Sequence, residues 1–173
     1  DESYVGGPEK GVHGRNLGAK KHLIVGAVEV VGAGCGRLRL EPVPSAAAAD
    51  LQPFVVDNVE LDAEIRTDKH AGYKHLDEAF DHQVTTIGDP KTASEKFPRI
   101  HRVFSLFKRL ILGTYQGSWS KKFAPAYCEE FEFRFNRRAS ERRPRLFAAV
   151  VETGVKWQPS IFRKSRAKGL RAA

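Results

Sequence analysis

The segment 98–113 most constrains what this chain can fold into. Ile100, Val103, Phe104, Phe107, Leu110 and Ile111 recur at helical spacing and make one apolar stripe. Such a stripe needs an apolar surface to bury it, so the segment predicts a helix laid on a core. His101, Ser105 and Lys108 fall on a second stripe, because positions four and seven apart are neighbours on a helix surface. Arg102 and Arg109 make a third, basic edge. Pro98 suits a first helical residue and Gly113 suits a stop. One anchored helix thus presents a histidine and a lysine side by side.

A length of 173 residues suits one domain with a proper core. The formal net charge of +8 points to a polyanionic partner, with nucleic acid ahead of an acidic membrane surface. No apolar run reaches the length of a membrane span, and nothing resembles a signal peptide. Cys35 and Cys128 lie far apart without a CxxC partner. They fit buried thiols in a reducing compartment better than a zinc site or a disulfide framework. The chain contains no methionine, which reads as a processed product or a fragment. Asp1-Glu2-Ser3-Tyr4-Val5-Gly6-Gly7 reads as the end of a strand entering a turn, with an upstream segment expected before it.

Residues 6–21, rich in Gly and Lys, read as a flexible basic loop. The β-branched run 22–31 predicts a strand, 32–36 a turn, and the alternating 37–43 a second strand of a hairpin, with Pro42 near an edge. Ser45 is placed to cap a helix over 46–59, in which Leu51, Phe54 and Val55 share a face. A short strand over 63–67 ends at Asp68. A brief helix over 73–80, a strand over 82–87 and a polar loop over 88–98 follow. Residues 122–138 read as a helix, although Phe131-Glu132-Phe133-Arg134-Phe135 also alternates like a strand. A further helix is expected over 145–152, then a basic, frayed tail. The order of elements suggests a mixed sheet flanked by helices, whose sites sit at strand ends.

Two carboxylates at adjacent strand ends suit a hard divalent cation such as Mg²⁺ or Mn²⁺, the ions that assist phosphoryl transfer. Asp1, Asp68, His101 and Lys108 are the residues from which such a site can be assembled, with the lysine as a point charge for phosphate. Pattern alone also allows a plainer account. An aspartate at a strand end is more often a turn residue than a ligand, and a histidine on a polar helix face is ordinarily solvated.

Resemblance shifts that balance. Ile100-His101-Arg102-Val103-Phe104-Ser105-Leu106-Phe107-Lys108-Arg109, followed by Leu112-Gly113-Thr114-Tyr115-Gln116-Gly117, resembles the signature of the ISXO-like insertion-sequence transposases, a DDE-type group. Asp1 to Gly7, Val25-Gly26-Ala27-Val28-Glu29, Thr67-Asp68 with Gly72-Tyr73, and Glu130 to Arg138 resemble the same family in the same order. The likeness covers the chain from Asp1 to about residue 155.

The resemblance implies an α/β, RNase H-like mixed sheet flanked by helices, with a helical, basic C-terminal part. It implies a catalytic domain over 1–155, incomplete at its N-terminus because the first strand lies upstream, and a basic tail over 156–173. The first family carboxylate falls on Asp1 and the second on Asp68. The variable third position falls on His101, and the helix lysine on Lys108. The Glu, Arg, Arg pattern falls on Glu130, Arg134 and Arg137, which share a helix face. The implied cofactor is Mg²⁺ or Mn²⁺, held by Asp1, Asp68 and His101. The implied partner is DNA, both transposon ends and target, bound through Arg102, Lys108, Arg109, Glu130, Arg134 and Arg137. A homo-oligomer in the DNA complex, no membrane, and a bacterial cytoplasmic, DNA-associated location complete the expectation.

This chain departs from the family pattern at two points. A neutral nitrogen ligand at His101 suits Mn²⁺ better than Mg²⁺, or leaves the histidine to act on a water or a leaving group. Glu95 or Asp89 are substitute carboxylates in the preceding loop. Lys69-His70 stands where the family carries a small glycine. Three readings follow: a transposase catalytic domain that cuts and joins DNA strands, an inactive DNA-binding remnant of one, or an unrelated basic scaffold.

Overall fold

A computed structural model describes residues 1–6, 21–88, 93–117 and 119–139, with the isolated positions 148, 151 and 152. The chain forms two compact units, Asp1–Arg138 and Ala139–Ala173. The first is a mixed α/β unit and carries every element named below. The loop expected over 6–21, most of the helix expected over 145–152, the boundary at 155 and the basic tail lie outside the described residues.

Three strands, β1 (Glu2–Val5), β2 (His22–Val31) and β3 (Gly34–Val43), form an antiparallel sheet in that order. The β2–β3 hairpin is the one that the sequence predicts. The segment 1–7, read as a strand entering a turn, supplies β1, paired from Glu2 opposite Val25 to Val5 opposite His22. Residues 22–26 of β2 are all buried. Both faces of the strand are covered, which is why its sequence reads as a continuous apolar run and not as an alternation. Ile24 faces a core shared with Val5, Leu38, Phe104 and Phe131, while Val25 faces a second core with Leu51, Phe54, Tyr73 and Phe80.

Helix α1 (Ala48–Asn58) covers that second core. Its N-cap is Ala47, with no side-chain cap bond. Ser45 instead accepts from the Ala47 N–H at 3.2 Å and donates to Asp50, so it braces the first turn from outside the cap position. Strand β4 (Glu64–Asp68) pairs in parallel with β5 (Asp81–Thr85). The crossover between them is two single 3₁₀ turns, Ala71–Tyr73 and Leu76–Glu78, in place of the brief helix expected over 73–80. His75 between them has a φ of 68°, which no α-helix continues through. The single mixed sheet expected from the sequence is thus two sheets, an antiparallel one and a parallel one. Strand β1 lies at an edge of the antiparallel sheet and pairs, among the described residues, with β2 on one side, and a cleft separates β2 from β4.

The short helix α2 (Ala93–Lys96) lies within the expected polar loop, and α3 (Pro98–Gly113) follows as predicted. Ile100, Val103, Phe104, Phe107 and Ile111 are buried on the first core, with Leu110 packed at its margin. Arg99 at the start of α3 donates to the Gly32 and Gly34 carbonyls, at 2.6 and 2.9 Å, and fastens the hairpin turn to the helix. The alternating 131–135 run is helical, within α4 (Ala124–Asn136). Phe131 packs against Phe107 with ring centroids 5.2 Å apart, so tertiary packing decides what periodicity leaves open. Cys128 is buried in the same core and Cys35 is partly buried, both as free thiols.

Helix α4 also closes the open edge of the sheet. Asn136 accepts from the Leu38 N–H at 2.7 Å and donates to the Leu38 carbonyl at 3.0 Å. Glu132 accepts from the Leu40 N–H, and Arg138 donates to the Cys35 and Gly36 carbonyls. Side chains one helical turn apart thereby take the place of a neighbouring strand, which removes an exposed edge. Asn136→Ala is expected to lower the unfolding free energy by about 1–3 kcal/mol, because it orphans a backbone donor and acceptor together. The check is a lower urea midpoint at unchanged slope. Asn136→Asp, which sets an oxygen against the Leu38 carbonyl, is expected to cost at least as much.

Candidate functional site

Asp1 stands at the leading end of β1. Its backbone pairs with Gly26, with the Gly26 N–H donating to the Asp1 carbonyl at 2.9 Å and the Asp1 amino group donating back at 3.3 Å. Asp68 stands at the trailing end of β4. Both line a cleft of about 610 Å³ between β2 and β4, together with Glu29, Glu64, Arg66 and Arg99. The two carboxylates that the sequence singles out therefore share one cleft, although they come from strands that do not pair with each other.

Each carboxylate keeps one oxygen in a local hydrogen bond. Asp1 Oδ1 accepts from the Glu2 N–H at 2.8 Å, and Asp68 Oδ1 accepts from the His70 N–H at 3.0 Å. The second oxygens are the ones available to a ligand. Asp1 Oδ2 faces His101 Nε2 at 3.5 Å. Burial holds the His101 imidazole below its ordinary value, helped by the positive charge of Lys108. Lys108, half-buried further along the same face of α3, is also held below its ordinary value by burial.

Among the described residues no group of three His, Cys, Asp or Glu side chains is gathered closely enough to hold a metal ion. The donor chemistry nevertheless fits a hard cation bound in part by its substrate. Mg²⁺ commonly takes one or two protein carboxylates and completes its shell with water and phosphate oxygens. Glu95 is exposed on α2 while its neighbour Lys96 lines the cleft, and Asp89 lies outside the described residues.

The basic residues form a separate cluster. Arg109 and Arg134, with Arg138, border a shallow depression between α3 and α4 floored by Leu106, Leu110, Phe131 and Phe135. Glu130 pairs with Arg134 one turn along the helix, as its spacing predicts, and also accepts from the Tyr115 hydroxyl. That hydroxyl, desolvated and bonded to a carboxylate, is pushed up to about 12. Arg137 does not join this face. Helix α4 ends at Asn136, and the Arg137 guanidinium lies over the Phe133 ring, 3.9 Å from its centroid. Arg102 is exposed on α3. Arg138 is the member of the basic cluster that the sequence pattern misses, because its place depends on where the helix stops. Glu2 and Tyr73 were missed as well: Tyr73 is buried, and its hydroxyl donates to Glu2 at 2.8 Å.

The lowered His101 value has a measurable consequence. An unfolded chain takes up a proton at the ordinary imidazole value of 6.5 while the folded one resists it, so the stabilisation present above that pH is lost as pH falls through the folded value. An NMR titration should place the His101 midpoint below 6.5. Denaturation between pH 7 and pH 5 should show a shallower loss of stability for His101→Gln than for the parent.

No helix among the described residues is long and apolar enough to cross a membrane. No curated protein and no solved structure matches the chain. The ISXO2-like transposase domain family matches residues 1–136, which includes Asp1, Asp68, His101, Lys108, Arg109 and Arg134 but not Arg137 or Arg138. The chain belongs to the ISXO2-like transposase domain family.

Proposed function

We propose that this chain is the catalytic part of a DDE-type transposase, which cuts DNA at the ends of an insertion sequence and joins them to a target. The observation that carries the reading is the meeting of Asp1 and Asp68 at one cleft, in a chain of a transposase family. The arrangement of strands supports an RNase H-like plan. An antiparallel β3-β2-β1 sheet and a parallel β4-β5 pair present their carboxylates to the same space.

Asp1 and Asp68 would hold the divalent cation through their second oxygens. When bound, that cation lowers the pKa of a water nucleophile and neutralises charge on the phosphate under attack. His101 Nε2 stands 3.5 Å from Asp1 Oδ2 and, in the tautomer that leaves this nitrogen unprotonated, would share the cation with that aspartate, its softer donor favouring Mn²⁺ over Mg²⁺. Lys108 supplies a point charge for a phosphate beside His101. Arg109, with Arg134 oriented by Glu130, would give the helical side of the domain a phosphate-binding surface that carries little sequence information. Pairing of two element ends calls for a homo-oligomer on DNA, acting where chromosomal DNA is, in the bacterial cytoplasm.

One observation favours a second reading. The third position is a histidine, and no three-donor group is assembled among the described residues. An inactive remnant would keep the basic surface and its DNA affinity while losing strand cleavage.

The test is nicking of DNA that carries the element's ends, by the full protein with Mn²⁺ or Mg²⁺. Asp68→Asn is expected to reduce the rate about a hundredfold or more while leaving DNA affinity within a few-fold. Arg109→Ala is expected to weaken binding uniformly across sequences and to lower the salt slope by about one. Equal nicking by parent and Asp68→Asn sinks the catalytic reading. Salt-dependent binding with no metal-dependent nicking by the parent favours the remnant.

A further inference from the structure

Among the described residues Asp1 and Asp68 belong to strands that share no backbone ladder. The segment after Asp68 ties the two strands together by another route. The Asp68 carboxylate accepts from the His70 N–H, and the His70 ring accepts from the Gly72 N–H at 3.1 Å. The Tyr73 N–H donates to the His70 carbonyl at 3.1 Å and closes the turn. Gly72 is pressed against the start of α1. A Cβ there would stand 2.5 Å from the Ala46 carbonyl oxygen and 2.7 Å from a Leu51 methyl, so the turn has no freedom to move toward the helix. Tyr73, 2% exposed, then reaches β1 and donates its hydroxyl to Glu2 at 2.8 Å. Glu2 is the residue next to Asp1. Strand alternation sends its side chain to the opposite face from Asp1, toward α1 and the second core. Among the described residues, this is the hydrogen bond that joins β1 to the segment following β4.

We propose that the Tyr73–Glu2 hydrogen bond is a positioning device that sets the separation of the Asp1 and Asp68 carboxylates, and through it the affinity of the cleft for a divalent cation. This rests on the two-aspartate reading given above. Tyr73 and Glu2 touch neither metal nor DNA in this account. They act through the strands that carry the ligands, as outer-shell partners do in metal sites generally.

Mn²⁺ binding to the full protein without DNA, followed by the electron paramagnetic resonance signal of the free ion, reads the effect without any need for catalysis. Tyr73→Phe removes one hydroxyl and no charge, and is expected to weaken Mn²⁺ binding about tenfold or more while the far-ultraviolet circular dichroism stays that of the parent. Glu2→Gln retains an oxygen to accept from Tyr73 and is expected to remain within about threefold of the parent. Glu2→Ala is expected to match Tyr73→Phe, and the double variant to be no worse than either single one, because both remove the same bond. Parent-like Mn²⁺ affinity in Tyr73→Phe, with affinity lost in Asp68→Asn, overturns the positioning role and leaves the metal site standing. Parent-like affinity in Asp68→Asn overturns the metal site, and the positioning role falls with it. If Tyr73→Phe does not fold, the comparison of Glu2→Gln with Glu2→Ala decides the matter, and equal affinities overturn the proposal.

Discussion

The close approach of α3 to β2 at Gly26 is the constraint on which the rest depends. A Cβ at this position would stand 2.8 Å from a Leu40 methyl, 3.1 Å from the Phe104 ring and 3.2 Å from an Ile100 methyl. Because Gly26 has no side chain, the helix can lie directly on the strand. The same residue pairs its backbone with Asp1. One glycine therefore brings the helix that carries His101 and the strand that carries Asp1 to a single point, and their side chains meet at 3.5 Å. A side chain at this position overpacks the site and displaces its neighbours.

The cleft between β2 and β4 mixes both signs of charge, Asp1, Glu29, Glu64 and Asp68 with Arg37, Arg66, Lys96 and Arg99, while the depression where α3 meets α4 carries arginines without a carboxylate. The edge of β3 is covered by Glu132, Asn136 and Arg138, so part of the charge on α4 serves the fold and only part is free for a ligand. Glu132 illustrates the cost. Burial raises its carboxyl above the ordinary value, opposed by the Leu40 N–H and by Arg39, which pairs with it at 3.5 Å.

Much of this was legible in the sequence, for physical reasons that differ by element. Helix α3 has one buried face, so its spacing declared it, down to the margin occupied by Leu110. Strand β2 was legible as a β-branched run, but its burial on both faces became clear only with α1 and α3 in place. The 131–135 segment alternates like a strand and folds as a helix, because the pairing of Phe131 with Phe107 overrides local periodicity. Residues 73–80 mislead in the opposite direction: Tyr73, Leu76 and Phe80 are buried at nearly helical spacing, yet the left-handed turn at His75 breaks the segment into two. At the site, Asp1 and Asp68 were identifiable from the resemblance. The Tyr73–Glu2 bond and the place of Arg138 were not, since each depends on where separate elements end relative to one another.

The central claim is that Asp1 and Asp68 together hold a divalent cation. Iron-directed cleavage of the backbone tests it most directly. Fe²⁺ bound in place of the native ion generates oxidising radicals that cut the chain near the bound metal. The account predicts cuts confined to the neighbourhood of Asp1 and Gly26, of Asp68, and of His101 at the start of α3, all suppressed by excess Mg²⁺ or Mn²⁺ and lost in Asp68→Asn. Cuts centred instead on the acidic stretch 60–64, or a pattern indifferent to Mg²⁺ and to Asp68→Asn, would contradict it.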